Sequence, residues 1–474
     1  MPAAAISRDL APAHALRALA ALEDAGHEAW VVGGWVRDAL RGCPAHDVDV
    51  CTDATWRQSE DAFELAGIEV HETGVKHGTV TAIVCGQPVE VTTYRIDGDY
   101  SDSRHPDSVT FVRDVREDLA RRDFTVNAMA WHPDRGLLDP FGGREDLAAG
   151  LIRAVGDPAR RFEEDALRIL RAVRFACRLG FGIEPKTQAA LEAAAPTLDR
   201  VAQERIGSEL RGIVSTGRAS WAIREQRQVM FAALPELAPM AGFDQRSPYH
   251  VYDVLEHTLR VMEGVESLTS GTASERLRWA ALLHDVGKPA CFTIDDHGQG
   301  HFFGHPAEGM RMAKALLRRL AVPHELARPI VSLVRYHDRP TRPDVSSVLS
   351  LIASVDATSG LMDRSEVLAL MRELLCLRRA DALAKAPECR GYAYELNEHE
   401  RILDQIEREG LCWRVRDLAV GGGDLIRACG MEPGPAVGDA LSRALSAVMA
   451  GEVPNDHDGL LAWLGCSERT NSKL

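Results

Sequence analysis

The chain has 474 residues, 45% of them hydrophobic and 26% charged, with a net charge of −15. These are ordinary values for a soluble globular protein, and the length suits about three domains. No run of about 18 apolar residues occurs, which excludes a transmembrane helix on composition, and no signal-peptide core follows Met1 to Ala5, so a cytoplasmic location is expected. Ten cysteines lie scattered with no C-x-x-C pair and are expected to be single buried thiols in a reducing compartment. The acidity excludes binding nucleic acid through global charge, and leaves local basic clusters such as Arg153, Arg160, Arg161, Arg168, Arg171, Arg174 and Arg178 for that purpose.

In chain order, the apolar run from Ala29 to Val32 predicts a short buried strand, broken by Gly33-Gly34 and followed by a helix from Trp35 to Arg41. Two glycines let the backbone approach an anion at a helix start. Asp47 and Asp49 alternate with Val48 and Val50, so in a strand both carboxylates share one face. Such a pair suits Mg²⁺ ions that hold a nucleoside triphosphate and activate an attacking hydroxyl. Glu90, in Val89-Glu90-Val91-Thr92-Thr93, could add a third carboxylate from a neighbouring strand, and an exposed strand acid fits equally. Thr93 to Asp107 is polar and glycine-bearing, with little periodicity. Arg121 and Arg122 could neutralise phosphate oxygens with their planar forks, and Asn127 could reach a ribose or a triphosphate. A solvated charge cluster over Arg121-Arg122-Asp123 is the alternative.

Asp157 to Arg178 predicts one helix, with Asp157 as N-cap, Pro158 in the first turn and an apolar stripe through Phe162, Ala166, Ile169, Val173 and Ala176. Asp165 and Arg168 lie three apart on one flank. They read either as a surface ion pair or as an acceptor and a donor aimed at one nucleobase. Gly180-Phe181-Gly182 interrupts the helical run, and Met240 to Pro248 reads as a linker. The head to about residue 150 reads as alternating strands and helices, the remainder as mostly helical. His284-Asp285 ends an apolar helix stopped by Gly287 and Pro289, a strong metal-ligand signal for Mn, Fe, Ni, Mg or Zn. The run Gly421-Gly422-Gly423 could be taken for a nucleotide loop or for a turn between helices.

Gly33-Gly34-x-x-Arg37-Asp38 with Asp47-x-Asp49 resembles the head of bacterial class II tRNA nucleotidyltransferases, the CCA-adding enzymes, and of their relatives the bacterial poly(A) polymerases. Arg121-Arg122-Asp123-Phe124-Thr125-Val126-Asn127-Ala128 resembles the family's second motif, which holds sugar and triphosphate. Glu164-Asp165-Ala166-Leu167-Arg168-Ile169-Leu170-Arg171 resembles the base-selecting motif, and Glu204-Arg205-Ile206 with Glu209 the helical motif after it. The resemblance implies an α+β multidomain fold. A polymerase-beta-like nucleotidyltransferase head with a small mixed sheet (1–150) precedes a helical neck (151–240), an HD-type domain (241–400) and a helical tail (401–474). It implies template-independent addition of CCA, or its terminal A, to the 3′ end of tRNA from CTP and ATP, with release of pyrophosphate. Asp47, Asp49 and Glu90 would be catalytic, the first two holding Mg²⁺. Gly33, Gly34, Arg37, Arg122, Asp123, Asn127, Asp165, Arg168 and Arg171 would bind nucleotide. Asp165 would accept from a base amino group and Arg168 donate to ring acceptors, a pattern shared by cytosine and adenine. The loop Arg95-x-Asp97-Gly98-x-Tyr100 with Ser101-Asp102-x-Arg104 resembles one tied in the family to adding the final A.

His257, Asp381, His305 and His337 join His284 and Asp285 in a pattern that resembles the HD phosphohydrolases. It implies either a centre for Mg²⁺ or a divalent transition metal that hydrolyses a phosphoester at an RNA end, or a degenerate domain that keeps the helices without turnover. The order, transferase first, separates the chain from stringent-response synthetases. Two other functions stay open: a poly(A) polymerase, whose relatives usually end in a basic tail unlike Asn471-Ser472-Lys473-Leu474, and a non-catalytic tRNA-binding factor.

Overall fold

The computed structural model describes residues 6–44, 47–98 and 109–466. The chain divides between Pro235 and Glu236 into two compact units.

The first unit is built on a mixed seven-stranded sheet. Its strands are β1 (Ala29–Val32), β2 (Asp49–Thr52), β3 (Glu69–Gly74), β4 (Thr79–Val84), β5 (Gln87–Thr93), and, after a separate pair β6 (Arg95–Asp97) and β7 (Val109–Phe111), β8 (Ala130–His132) and β9 (Gly136–Leu138). The order is β3-β4-β5-β2-β1-β8-β9. β2 runs parallel to β5, and the other neighbours are antiparallel. All four residues of β1 are buried, as a central strand covered on both faces requires. β4, nearer the edge, alternates buried and half-buried positions.

Helices α1 (Ala13–Asp24), α2 (Gly34–Leu40) and α3 (Trp56–Leu65) accompany the first strands. Thr55 and Gln58 close a capping box at the start of α3. The segment after β5, expected to be irregular, instead pairs Arg95–Asp97 with Val109–Phe111. The expected loop residues Tyr100, Ser101, Asp102 and Arg104 lie outside the described residues.

Helices α4 (Val115–Ala120) and α5 (Gly143–Ala149) lead into a helical stretch. It contains α6 (Pro158–Glu164), α7 (Leu167–Leu179), α8 (Pro185–Ala194), α9 (Gln203–Val214), α10 (Ala219–Glu225) and α11 (Arg227–Ala233). The single helix expected from Asp157 to Arg178 is two. Asp165 adopts extended backbone, φ −142° and ψ 104°, and its carboxylate accepts the Leu167 N–H at 3.0 Å. A side chain that bonds the backbone two residues further on competes with continuation of the helix. Asp157 and Pro158 do start α6 as expected, and Gly180 ends α7 with φ +74°.

The second unit is almost entirely helical: α12 (Val254–Leu268), α13 (Glu275–Leu283), α14 (His305–Arg319), α15 (His324–Tyr336), α16 (Val345–Ser359), α17 (Arg364–Ala384), α18 (Gly391–Glu409), α19 (Gly422–Cys429), α20 (Pro435–Ala450) and α21 (His457–Trp463). Among the described residues, no single helix is long and apolar enough to cross a membrane. Leu425, Leu441 and Leu460 bring α19, α20 and α21 onto one small core. The glycine run is not a turn: Gly421 caps α19, donating its N–H to the Asp424 carboxylate at 2.8 Å.

The same packing overturns the reading of the cysteines as single buried thiols. Cys429 and Cys466 form a disulfide with Cα atoms 4.6 Å apart, and Cys43 and Cys85 are exposed. The two half-cystines are 37 residues apart in sequence, a separation that carries no pairing signal until the helices pack.

Candidate active site

In the first unit, a cavity of about 780 Å³ opens where β1 gives way to α2, lined by eight arginines and five aspartates. Gly33 carries φ +71°. A Cβ there would lie 3.2 Å from Arg122 Nη1 and 3.4 Å from Asp49 Oδ2. Glycine therefore lets a cationic and an anionic side chain close on the turn at the same point.

Asp47 and Asp49 both line the cavity. The strand holds only Asp49, because β2 begins there and Asp47 lies in the segment before it. Asp49 pairs in register with Glu90 of β5. Glu90 is exposed and outside the cavity lining. Burial raises the Asp49 carboxyl above its ordinary value; Arg122 opposes this, and the charges of Glu90 and Asp47 add to it. Mutually repelling carboxylates in a partly dry corner form a donor set that suits a hard divalent cation.

Arg37 is buried, and its guanidinium is fully engaged. It grips Asp38 through Nε at 2.9 Å and Nη2 at 2.7 Å, and donates from Nη1 to Asn127 Oδ1 at 2.7 Å. Asn127 in turn donates to Asp123 Oδ1 at 3.2 Å, and Arg171 reaches Asp123 Oδ2 through Nε and Nη2 at 2.9 and 2.6 Å. Burial pushes the Asp123 carboxyl up, but Arg171 outweighs it and holds the group below the usual carboxylate range. Arg37 and Asn127, expected to touch phosphate and sugar, thus form one continuous network with Asp123 and Arg171 along the cavity wall. Arg121 and Arg122 share a counter-charge in fully buried Asp118, at 2.8 and 3.3 Å. Against the pull of burial, the two guanidinium groups hold that carboxyl low.

Asp165 and Arg168 line the same cavity without pairing with each other. Arg168 Nη1 donates to Glu164 Oε2 at 2.6 Å and to the Arg161 carbonyl at 3.1 Å. Asp165 Oδ2 accepts from Arg205 at 3.2 Å. The surface ion pair that the spacing allowed is therefore absent, and each group is held from behind by a different partner. Phe175 carries three guanidinium groups around its ring, Arg174 at 4.6 Å, Arg37 at 5.5 Å and Arg171 at 5.6 Å. Arg174 and Arg178 also line the cavity, whereas Arg153 is drawn to Asp146 and Glu184, Arg160 to Glu164, and Arg161 to Glu164 and backbone carbonyls.

The second unit holds a separate cluster. His257, His284, Asp285, His305, His337 and Asp381 converge although they come from three helices, α12, α14 and α17, and from the C-terminal ends of two more, α13 and α15. Their ligand atoms form two groups that share Asp285: His257, His284 and Asp285, and Asp285, His305 and His337. His284, His305 and His337 each place Nδ1 at 2.8 to 2.9 Å from a backbone carbonyl three residues earlier. This fixes the tautomer, with the proton on Nδ1 and the Nε2 lone pair facing the cluster. Asp285 Oδ2 lies 3.2 Å from His284 Nε2, and Oδ1 lies 3.4 Å from His305 Nε2 and 3.7 Å from His337 Nε2. His257 Nε2 meets Asp381 Oδ1 at 3.0 Å. Burial pushes the Asp285 carboxyl up, but His284 and Lys288 hold it well below the usual range. Buried His284 Nε2 has no hydrogen-bond partner. Imidazoles and carboxylates around such an orphaned lone pair fit a divalent metal.

Residues 29–153 match the poly A polymerase head domain, residues 254–386 the HD domain, and residues 370–464 domain 2 of tRNA nucleotidyltransferases. The CCA-adding enzyme of Leuconostoc mesenteroides is 32% identical over 448 residues, 93% of this chain and 93% of its own. That of Geobacillus stearothermophilus is 32% identical over 459 residues, 97% of this chain and 98% of its own. The chain belongs to the CCA-adding enzyme family. The crystal structure of the Bacillus stearothermophilus CCA-adding enzyme in complex with CTP superposes with a TM-score of 0.69 at 29% identity, covering 95% of this chain and 96% of that one. The expected α+β organisation, a mixed-sheet head followed by helices, is the fold of this family member.

Sequence reasoning missed the groups that hold this family member's cavity residues in place. Asp118 lies three and four residues before the arginines it anchors, a helical spacing visible in the sequence but unused. Glu164 stands four before Arg168 in the same way. Arg205 lay inside a recognised motif without a role. Lys288 and Lys385, at 2.7 Å from Asp285 and Asp381 respectively, carried only the weak signal of lying three and four residues beyond a metal-type aspartate.

Proposed function

We propose that this chain adds CCA to the 3′ end of tRNA from CTP and ATP without a nucleic-acid template, releasing pyrophosphate, in the cytoplasm. The observation that carries the reading is one cavity holding a glycine turn, two aspartates and a donor–acceptor pair for a base. In this reading Asp47 and Asp49 hold Mg²⁺, and Glu90 adds negative potential behind them. A bound Mg²⁺ pair supplies charge neutralisation at the triphosphate and eases loss of the primer hydroxyl proton. Gly33 and Gly34 leave room for phosphates, and Arg122, steered by Asp118, faces them. Arg37, Asp123, Asn127 and Arg171 form the wall against which the sugar packs. Asp165 accepts from the amino group of cytosine or adenine, and Arg168 donates to the ring nitrogen beside it. Uracil and guanine present a carbonyl where Asp165 needs a donor. The division of labour into head (1–150), neck (151–240), HD-type domain (241–400) and tRNA-contacting tail (401–474) is part of the same proposal.

The second unit supports a further reading. Three Nε2 lone pairs turned onto a shared aspartate fit a centre for Mg²⁺ or a divalent transition metal that hydrolyses phosphoesters. The orphaned His284 Nε2 favours it.

The test gives Mg²⁺ and CTP, ATP or both to tRNA transcripts ending before CCA, in C, or in CC, and sequences the 3′ ends. Complete CCA on the bare transcript is expected. Addition of A only to the CC-ended transcript would make this chain half of a two-enzyme system. Long A tails would move it to the poly(A) polymerases, and no addition would leave an RNA-binding factor.

A further inference from the structure

The His/Asp centre of the second unit borders more than one cavity. Two cavities, of about 320 Å³ and 480 Å³, meet over it and share Tyr249, His250, His337, Asp338, Asp381 and Lys385. Phe303 lines only the smaller one and Tyr392 only the larger. Phe303 is 81% exposed although it is a large apolar side chain. Its ring stacks on His301 with centroids 5.2 Å apart and planes within 9°, so a rigid aromatic face is presented to solvent at the rim of that cavity. Tyr392 and Tyr249 are also exposed. Cations accompany the aromatics on both sides. Lys288 lines the smaller cavity, Arg378 lines the larger, and Lys385 stands between them. Arg378 is 2% exposed and donates through Nη2 to the carbonyls of Tyr336 and Arg339 at 2.7 and 2.8 Å, while its Nε has no partner. His250 Nδ1, in the shared part, is likewise buried without a partner.

A phosphomonoester has a substituent on one side of phosphorus only and needs one such cavity. Here each of two adjoining cavities carries its own exposed aromatic ring, Phe303 in one and Tyr392 in the other. From this we propose that the cleft takes an internucleotide phosphodiester, with the phosphate over the His/Asp centre, one base on Phe303 and the other on Tyr392. The proposal rests on the phosphohydrolase reading of this centre and names its substrate class. Aromatic faces stack any base, so little sequence preference is expected. Hydrolysis joins the oxygen of water to phosphorus and breaks one P–O ester bond. One proton of water passes to the departing nucleoside oxygen, leaving a phosphomonoester and an alcohol.

The test measures binding by equilibrium dialysis to the full chain loaded with Mn²⁺. The probes are inorganic phosphate, 3′-AMP, the dinucleoside monophosphate ApA, and a single-stranded hexamer of A. ApA is expected to bind tighter than 3′-AMP, and Phe303→Ala and Tyr392→Ala each to weaken ApA by about tenfold, the scale of one stacked base. Tighter binding of the hexamer than of ApA assigns the ligand to an RNA strand, and equal binding to a free dinucleotide; either supports the two-sided cleft. Equal affinity for ApA and 3′-AMP, or ApA binding untouched by both substitutions, overturns it while leaving the phosphohydrolase reading intact. Absence of phosphate binding, with Mn²⁺ bound, removes that reading and the proposal with it.

Discussion

Replacing Arg168 with alanine separates base selection from general catalysis. The guanidinium is largely buried and held by Glu164 at 2.6 Å and by the Arg161 carbonyl at 3.1 Å, so its direction is set before any nucleotide arrives. A hydrogen bond from such a charged donor contributes about 1.5–3 kcal/mol when its acceptor is otherwise left dry. At about 1.4 kcal/mol per tenfold, Arg168→Ala is expected to lower kcat/KM for CTP and ATP by roughly 10- to 150-fold. UTP and GTP never used the bond as well and fall less, so the ratio of correct to incorrect incorporation shrinks. Folding is only mildly affected, because Glu164 keeps Arg161 at 2.8 Å and Arg160 at 3.2 Å. A stability loss on the order of 1 kcal/mol, a few degrees in Tm, is the expected ceiling. The assay is single-nucleotide addition to a CC-ended or bare tRNA transcript with each of the four triphosphates. A uniform slowing of all four would refute the base-reading role and make Arg168 a structural residue. Glu164→Gln is expected to reproduce a weaker version of the same loss, since it removes the charge that aims Arg168 and leaves the donor in place.

Asp47→Ala combined with Asp49→Ala is expected to abolish nucleotide addition while tRNA binding, followed by gel shift, stays near normal; retained addition would dismiss the carboxylate assignment. Asp118→Asn strips two arginines of their buried counter-charge and is expected to cost about 3–5 kcal/mol of stability, seen as a lower Tm, and an unchanged Tm would show that Arg121 and Arg122 find other partners. Asp118 and Asp123 both titrate below their ordinary value in the fold, for Asp118 through Arg122 and Arg121 and for Asp123 through Arg171, each against the pull of burial. A depressed folded pKa contributes stability that is complete above the unfolded value of about 3.9 and is lost as pH falls through the folded value. Urea unfolding from about pH 5 downward should therefore show a steeper loss for the parent than for Asp123→Asn, and parallel curves would contradict the pairing. His284→Ala is expected to remove the Mn²⁺-dependent phosphoester hydrolysis of the parent and to spare nucleotide addition, measured on the same preparation, so loss of both activities would point to unfolding, hydrolysis that survives would place it outside this centre, and no hydrolysis in the parent would mark a centre without turnover.

Much of this molecule is decided locally. Ala29–Val32 is apolar throughout, so it becomes a central strand; glycine is needed where φ is +71° at Gly33; Asp157 and Pro158 start α6 as N-cap and first-turn residues. The resemblance over the head and the helical motifs carried the family, and the metal-type residues His257, His284, Asp285, His305, His337 and Asp381 were each visible as residue types. Tertiary packing decided which of these groups are held and by what. Asp165 leaves the helix as its carboxylate accepts the Leu167 N–H while Arg205, 40 residues away, holds its other oxygen. Arg37 and Asn127 become one network only when residues 90 apart meet. Cys429 meets Cys466 only where α19, α20 and α21 pack on one core. Hydrogen bonds and ion pairs act over a few ångströms of space regardless of separation along the chain. Period and spacing in a sequence report only neighbours within a turn or a strand, so the residues that aim the candidate active site stayed hidden until the fold brought them together.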